Sequence, residues 1–111
     1  MARAVRIVFT ESADSDSSYI YADLHGKAGT PTVVKYRALF RRLYERLADF
    51  PKSGAPRPKL GPHIRVGIVS PYIVIYRYSE ADNSVNVLRI VHGRRKITGK
   101  LLSTGTGAKR I

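Results

Sequence analysis

Leu88-Arg89-Ile90-Val91-His92-Gly93-Arg94-Arg95 decides how this chain is read, because an apolar β-type segment runs straight into a cluster of cationic side chains. A strand of that kind delivers charge to one place. Tyr72-Ile73-Val74-Ile75-Tyr76-Arg77-Tyr78 precedes it as a second strand-like run, and the polar link Ser79-Glu80-Ala81-Asp82-Asn83 joins the two as an antiparallel hairpin. Ile64 to Val69 reads as a third, shorter strand. Lys52 to Pro62 holds three of the six prolines and two glycines, so it reads as an extended loop.

Upstream the period changes from two to about 3.6. Val33, Tyr36, Phe40, Leu43, Leu47 and Phe50 recur at three and four residues, which predicts a long amphipathic helix from Thr30 as N-cap and Pro31 in its first turn, ending before Pro51. Its other face carries Arg37, Arg41, Arg42, Glu45 and Arg46, a solvated helix face. Before it, Ser12 can cap a short helix whose first turn holds Asp14 and Asp16, with Ala13, Ile20 and Leu24 on one face and an end near Gly26. Val5 to Thr10 is β-branched enough to form a first strand. The order is strand, two helices, three strands: an α+β fold in which a helical hairpin packs on a small, mainly antiparallel sheet. Residues 1–102 form a single domain, closing with a helical turn at Leu101-Leu102. The tail Ser103 to Ile111, rich in Gly and Thr, is expected to be flexible.

The chain of 111 residues carries a formal charge of +12, unevenly spread. Residues 1–50 hold eight Lys/Arg against six Asp/Glu, while residues 51–111 hold twelve against two. A half-chain excess of +10 implies an acidic partner such as nucleic acid, an anionic surface or an acidic protein segment. There is no cysteine, so neither a disulfide framework nor a thiolate site can form. Arg3 and Arg6 are not followed by the apolar core of a secretory signal, and no run of about 20 apolar residues could cross a bilayer. A soluble cytoplasmic protein is expected, without membrane contact.

Most catalytic chemistry finds no support in the pattern. His25, His63 and His92 are scattered and no carboxylates cluster beside them, so neither a metal nor another cofactor is expected. Gly93 to Lys100 only superficially resembles a phosphate loop, since Leu101 follows the lysine where Ser or Thr is needed. The acids lie far apart in the two helices and the hairpin tip, and Ser70-Pro71 offers no nucleophile elbow. Cationic chemistry remains, because guanidinium forks pair bidentately with phosphates and carboxylates.

Taken in order, Ala13, Asp16 and Ile20, then Arg41-Arg42-Leu43-Tyr44-Glu45-Arg46-Leu47, Phe50-Pro51-Lys52-Ser53-Gly54, Arg65, Tyr72-Ile73-Val74-Ile75-Tyr76-Arg77 and Val87 to Arg95 resemble the ParE branch of the RelE/ParE toxin superfamily over roughly residues 4 to 102. The resemblance implies a bacterial type II toxin that a ParD-like antitoxin neutralises in a hetero-oligomer, up to a heterotetramer, and that poisons DNA gyrase when free. The RelE branch instead cuts messenger RNA in the ribosome. Arg95 falls where that branch has an arginine after the last strand, but Leu101 stands where it carries a tyrosine near the scissile phosphate, which favours the ParE branch.

Within that frame no residue is assigned a catalytic role. Arg65, Arg94, Arg95 and Lys96 are candidates for contact with the target, and Tyr72, Tyr76, Arg77 and Arg89 for contact with the antitoxin. Arg89, mid-strand among aliphatic neighbours, equally fits a structural pairing with an acid, and Tyr72 and Tyr76 fit core packing. A ribosome-dependent ribonuclease and a basic module that only binds nucleic acid remain the alternative readings.

Overall fold

The computed structural model describes residues 4–95, 97 and 101–102. Strand β1 (Arg6–Phe9) leads into helix α1 (Glu11–Ala28), which is followed by helix α2 (Thr30–Asp49). Thr10, rather than Ser12, caps α1: its hydroxyl accepts from the Ala13 N–H at 3.0 Å and donates to the Leu88 carbonyl at 2.9 Å. One side chain thus starts a helix and ties it to a strand 78 residues away. The helix also runs past Gly26, because only at Gly29 does the backbone turn to φ +84°, a conformation glycine adopts without steric cost. Gly29 ends α1 through its N–H to the His25 carbonyl and precedes Thr30 and Pro31 in the first turn of α2, so a single glycine makes the helical hairpin.

The second half forms most of the sheet. A two-residue strand β2 (Ala55–Pro56) and a 3-10 turn at Pro58–Leu60 organise the segment expected to be an open loop, followed by β3 (Ile64–Val69), β4 (Tyr72–Ser79) and β5 (Ser84–His92). The strand order is β1-β5-β4-β3-β2, antiparallel except for the parallel pair β1–β5. Register along the hairpin places Tyr72 opposite His92 and Ser79 opposite Ser84, with one irregularity: Ile75 faces Arg89 while Tyr76 faces Val87, leaving Leu88 as an extra residue. This bulge inverts the alternation. Val85 and Val87 before it, and Ile90 after it, join the core under the helices, whereas Leu88 and Val91 join the cluster on the opposite face.

The core between helices and sheet contains Ala13, Ile20, Phe40, Leu43, Leu47, Val74 and Tyr76. Full burial of a leucine such as Leu47 contributes about 2 kcal/mol. Helix α2 lies so close to β3 that a Cβ on Gly67 would stand 2.9 Å from the Leu43 Cδ1, which only glycine avoids. Phe40 stacks on Tyr44 and packs against Tyr72 at a centroid separation of 5.9 Å. Phe50, expected as the last residue of the buried stripe, is 65% exposed instead. Its φ of −133° and ψ of 74° end the helix one residue early, so the ring leaves the periodic face. The outer face of the sheet is covered by Leu101 and Leu102, which pack with Ile64, Val66, Ile75, Leu88 and Val91.

Candidate functional site: the cationic exit of the last strand

Strand β5 carries Arg89 and then releases Arg94 and Arg95, and the two places differ in every physical respect. At the first, the bulge lets the Arg89 fork reach the Asp16 carboxylate of α1: Nε donates at 2.7 Å to Oδ2 and Nη2 at 3.0 Å to Oδ1. Asp16 Oδ2 also accepts from the Ile90 N–H at 2.9 Å, so this carboxylate satisfies a backbone donor where β1 no longer covers β5. The side chains are only 13% and 16% exposed, which makes the pair a structural joint between α1 and the sheet.

At the second place the turn is pinned by backbone. The Gly93 N–H donates to the Pro71 carbonyl at 2.7 Å and the Arg95 N–H to the His92 carbonyl at 2.9 Å. The Arg94 N–H donates to His92 Nδ1 at 3.1 Å, a geometry that suits the neutral imidazole with its proton on Nε2. Arg94 and Arg95 are exposed. Arg95 borders a cleft of about 450 Å³ between α1 and the strand exit, lined also by Tyr19, Asp23, Tyr72 and His92. Asp23 is already paired with Lys27 at 3.2 Å. Burial raises the Tyr72 hydroxyl above the usual tyrosine range, with Tyr36 and Asp23 adding to the shift, so it stays neutral near pH 7. It can donate or accept a hydrogen bond there but not serve as a base.

Arg65 works inward. Its Nη1 donates to the carbonyls of Lys52 at 2.9 Å and Gly54 at 2.8 Å, and the neighbouring Tyr76 hydroxyl donates to the Pro51 carbonyl at 2.8 Å while accepting the Gly54 N–H at 3.0 Å. Gly54 is required here, because a Cβ would come 2.5 Å from the Tyr76 oxygen. Burial raises the Tyr76 pKa, with the Gly54 hydrogen bond and Arg65 opposing. Tyr76 is wholly buried, so the antitoxin contact expected of it is not open to it directly, and Arg89 is likewise turned inward to Asp16. Tyr72 shows only a small edge to the cleft, and Arg77 is exposed.

The eight candidates therefore do not form one site. Arg94 and Arg95 share the strand exit, Arg65 and Tyr76 hold the 51–54 turn, Arg77 lies at the other end of β4, and Lys96 lies outside the described residues. Asp16 reads in the sequence as an acid suiting a helix dipole and as part of the ParE-like pattern, with no partner named, since nothing local pairs it with a residue 73 positions away. The Lys52–Glu80 ion pair at 3.0 Å joins two segments that had read as loop and solvated turn.

The arrangement has relatives. Residues 7–97 match the family described as ParE toxin of type II toxin–antitoxin system, parDE. Toxin ParE3 of Caulobacter vibrioides is 28% identical over 96 residues, covering 86% of this chain and 94% of the relative. Among solved structures, the chromosomal ParDE toxin–antitoxin system of P. aeruginosa superposes with a TM-score of 0.66 at 20% identity, covering 82% of this chain and 98% of that one. The RelBE2 toxin–antitoxin complex of Mycobacterium tuberculosis gives 0.61 at 19% identity over 81% and 99%, and a variant of E. coli RelE in the free state gives 0.58 at 15% over 98% and 100%. At those identities the structures share the fold, while the match over most of the sequence carries the assignment: the chain belongs to the ParE toxin family of type II toxin–antitoxin systems.

Proposed function

We propose that this toxin is held inactive by a ParD-like antitoxin and, when free, acts on DNA gyrase in the cytoplasm rather than cutting messenger RNA. The observation that carries the choice of target is Leu101. The ribonuclease branch is expected to present a tyrosine hydroxyl here, close to the attacking 2′-hydroxyl. This chain has an aliphatic side chain 8% exposed and packed against Leu88 and Val91. The replacement removes the hydroxyl that the ribonuclease branch is expected to hold at this position to place or activate a nucleophile. Poisoning by binding needs none.

Arg94 and Arg95 then supply the target contact, with Lys96 beside them in sequence and Arg65 acting through the turn it holds. The antitoxin contact includes the exposed Arg77, while the buried Tyr72 and Tyr76 and the inward-turned Arg89 support the surface from within. An acidic segment folding on the chain would offset the charge of +12. The assembly is a hetero-oligomer of toxin and antitoxin, up to a heterotetramer. A paired assay tests the target. Free toxin should raise gyrase-dependent DNA cleavage during supercoiling and leave messenger RNA intact in a translating extract, and position-specific messenger cuts with gyrase untouched would reverse the assignment.

A further inference from the structure

Strand β5 ends on His92, and the backbone amides of both exit arginines turn back to that one residue. The Arg95 N–H donates to its carbonyl at 2.9 Å, and the Arg94 N–H donates to its ring Nδ1 at 3.1 Å. The second bond spans the same two residues as an Asx turn, with an imidazole nitrogen where asparagine or aspartate would offer an oxygen. Gly93, between them, donates to the Pro71 carbonyl at 2.7 Å, and a Cβ there would stand 3.1 Å from the same oxygen, so the chain lies close against the start of β4. The ring is itself placed. Tyr72, opposite His92 in the β4–β5 register, meets it edge-on at a centroid separation of 5.9 Å.

Backbone torsions set where a side chain begins. With the amides of residues 93, 94 and 95 all engaged, the Cα–Cβ directions of Arg94 and Arg95 are defined, although both side chains are exposed. The Nδ1 bond is the part of this arrangement that a proton can undo, because an imidazolium carries a donor on both nitrogens and would set N–H against N–H. Around the ring, β4 contributes the Tyr72 hydroxyl, α1 contributes Asp16, Tyr19 and Asp23, and the exit contributes Arg94 and Arg95. Asp16 is engaged by Arg89 and Asp23 by Lys27, so neither acid of the cleft is left to pair with a charged ring.

We propose that His92 is a positioning residue for the target contact: its neutral imidazole, as acceptor for the Arg94 N–H, fixes the turn from which Arg94 and Arg95 reach the target, and a proton on Nδ1 releases that turn. The proposal rests on the reading of Arg94 and Arg95 as the contact with gyrase. It also fixes a sign. If His92 touched an anionic target directly, charging the ring would add attraction, whereas a released turn makes the toxin weaker in acid.

The test is gyrase-dependent DNA cleavage by the purified full chain, read as the concentration giving half-maximal cleavage. At about pH 8, where imidazole is ordinarily neutral, His92→Ala should raise that concentration about tenfold, the scale of one lost hydrogen bond. His92→Gln, which carries its acceptor one carbon further out, should do the same. His92→Asn, whose Oδ1 stands in for Nδ1, should stay within about threefold of the parent. At about pH 6 the parent should lose roughly fivefold relative to His92→Asn, and taking the ratio of the two on one gyrase preparation removes the target's own response to pH. Long-range proton–nitrogen spectra of the chain alone should show the ring proton on Nε2 at the higher pH, a readout that involves no gyrase. A proton on Nδ1 there, a folded His92→Ala variant as active as the parent, or a parent that gains on His92→Asn in acid would overturn the proposal, the last in favour of direct contact by a charged ring. Circular dichroism checks each fold, and if His92→Ala does not fold, equal activity of His92→Gln and His92→Asn overturns the proposal in its place. A parent that gives no cleavage at either pH fails the gyrase reading, and this proposal with it; a parent that cleaves while the His92 variants match it fails this proposal alone.

Discussion

Arg89 and the pair Arg94-Arg95 sit within six residues of one another on one strand and its exit, yet they are opposites. Arg89 is folded onto Asp16 with three hydrogen bonds meeting on a single carboxylate, while Arg94 and Arg95 stand in solvent on a turn fixed through backbone hydrogen bonds and the His92 ring. The same residue type is a joint in one place and an available charge in the other. What separates them is the bulge at Leu88 together with the acid that α1 brings to it. A basic run in a sequence therefore divides according to which cations find an internal acid.

The largest effect expected from breaking this contrast is at the joint. Arg89→Ala leaves a largely buried Asp16 carboxylate without its counter-ion and should cost roughly 3 kcal/mol. That corresponds to a fall of about 10 °C or more in the thermal midpoint for a domain of this size. Asp16→Asn should cost less, about 2 kcal/mol, since its amide oxygen can still accept from the Ile90 N–H. Urea melts of the two single variants and the double variant check the pairing directly, because independent sites would add and this pair should not.

The 51–54 turn gives the next effect. Tyr76→Phe removes a buried hydroxyl that joins the Pro51 carbonyl to the Gly54 N–H and should cost about 1–2 kcal/mol, read from the same melts. Alkaline pH reaches the same group by another route. Burial raises Tyr76, Tyr72, Tyr44 and Tyr21 above their ordinary pKa of 10.0, so the unfolded chain ionises first. The stabilisation is complete below pH 10 and is lost as pH rises through the higher folded values. Thermal midpoints should be insensitive to these groups at pH 8 and fall above about pH 10, and Tyr76→Phe should flatten part of that decline.

A smaller effect is expected at the helix start. Thr10→Ala should cost about 1 kcal/mol, through loss of the cap on α1, whereas Ser12→Ala should disturb that cap little. The contrast shows where reading the sequence succeeds and where it stops. The long helix, the three main strands and their order followed from periodicity and turn residues, because those signals are local. The cap shifted from Ser12 to Thr10, α1 ran to Ala28, and Phe50 turned outward, because helix ends are decided by one or two backbone torsions that periodicity does not encode. The two-residue β2 was hidden in a proline-rich segment. For the candidate site, the strand that carries the cations was legible. That Arg65 points inward was not, and for Arg89 the structural pairing with an acid could be offered but the acid not named, since the partners lie 11 to 73 residues away.

The smallest stability effect, and the most direct test, belongs to the exit. The double replacement Arg94→Ala with Arg95→Ala removes two exposed side chains and should shift stability by less than about 0.5 kcal/mol. Growth arrest on induction, measured beside the thermal midpoint of the same purified variant, tests whether available charge at the strand exit is what makes this protein toxic. The expected result is growth restored with the midpoint unchanged. A variant as toxic as the parent would remove Arg94 and Arg95 from the target contact, and one that unfolds would make them part of the joint.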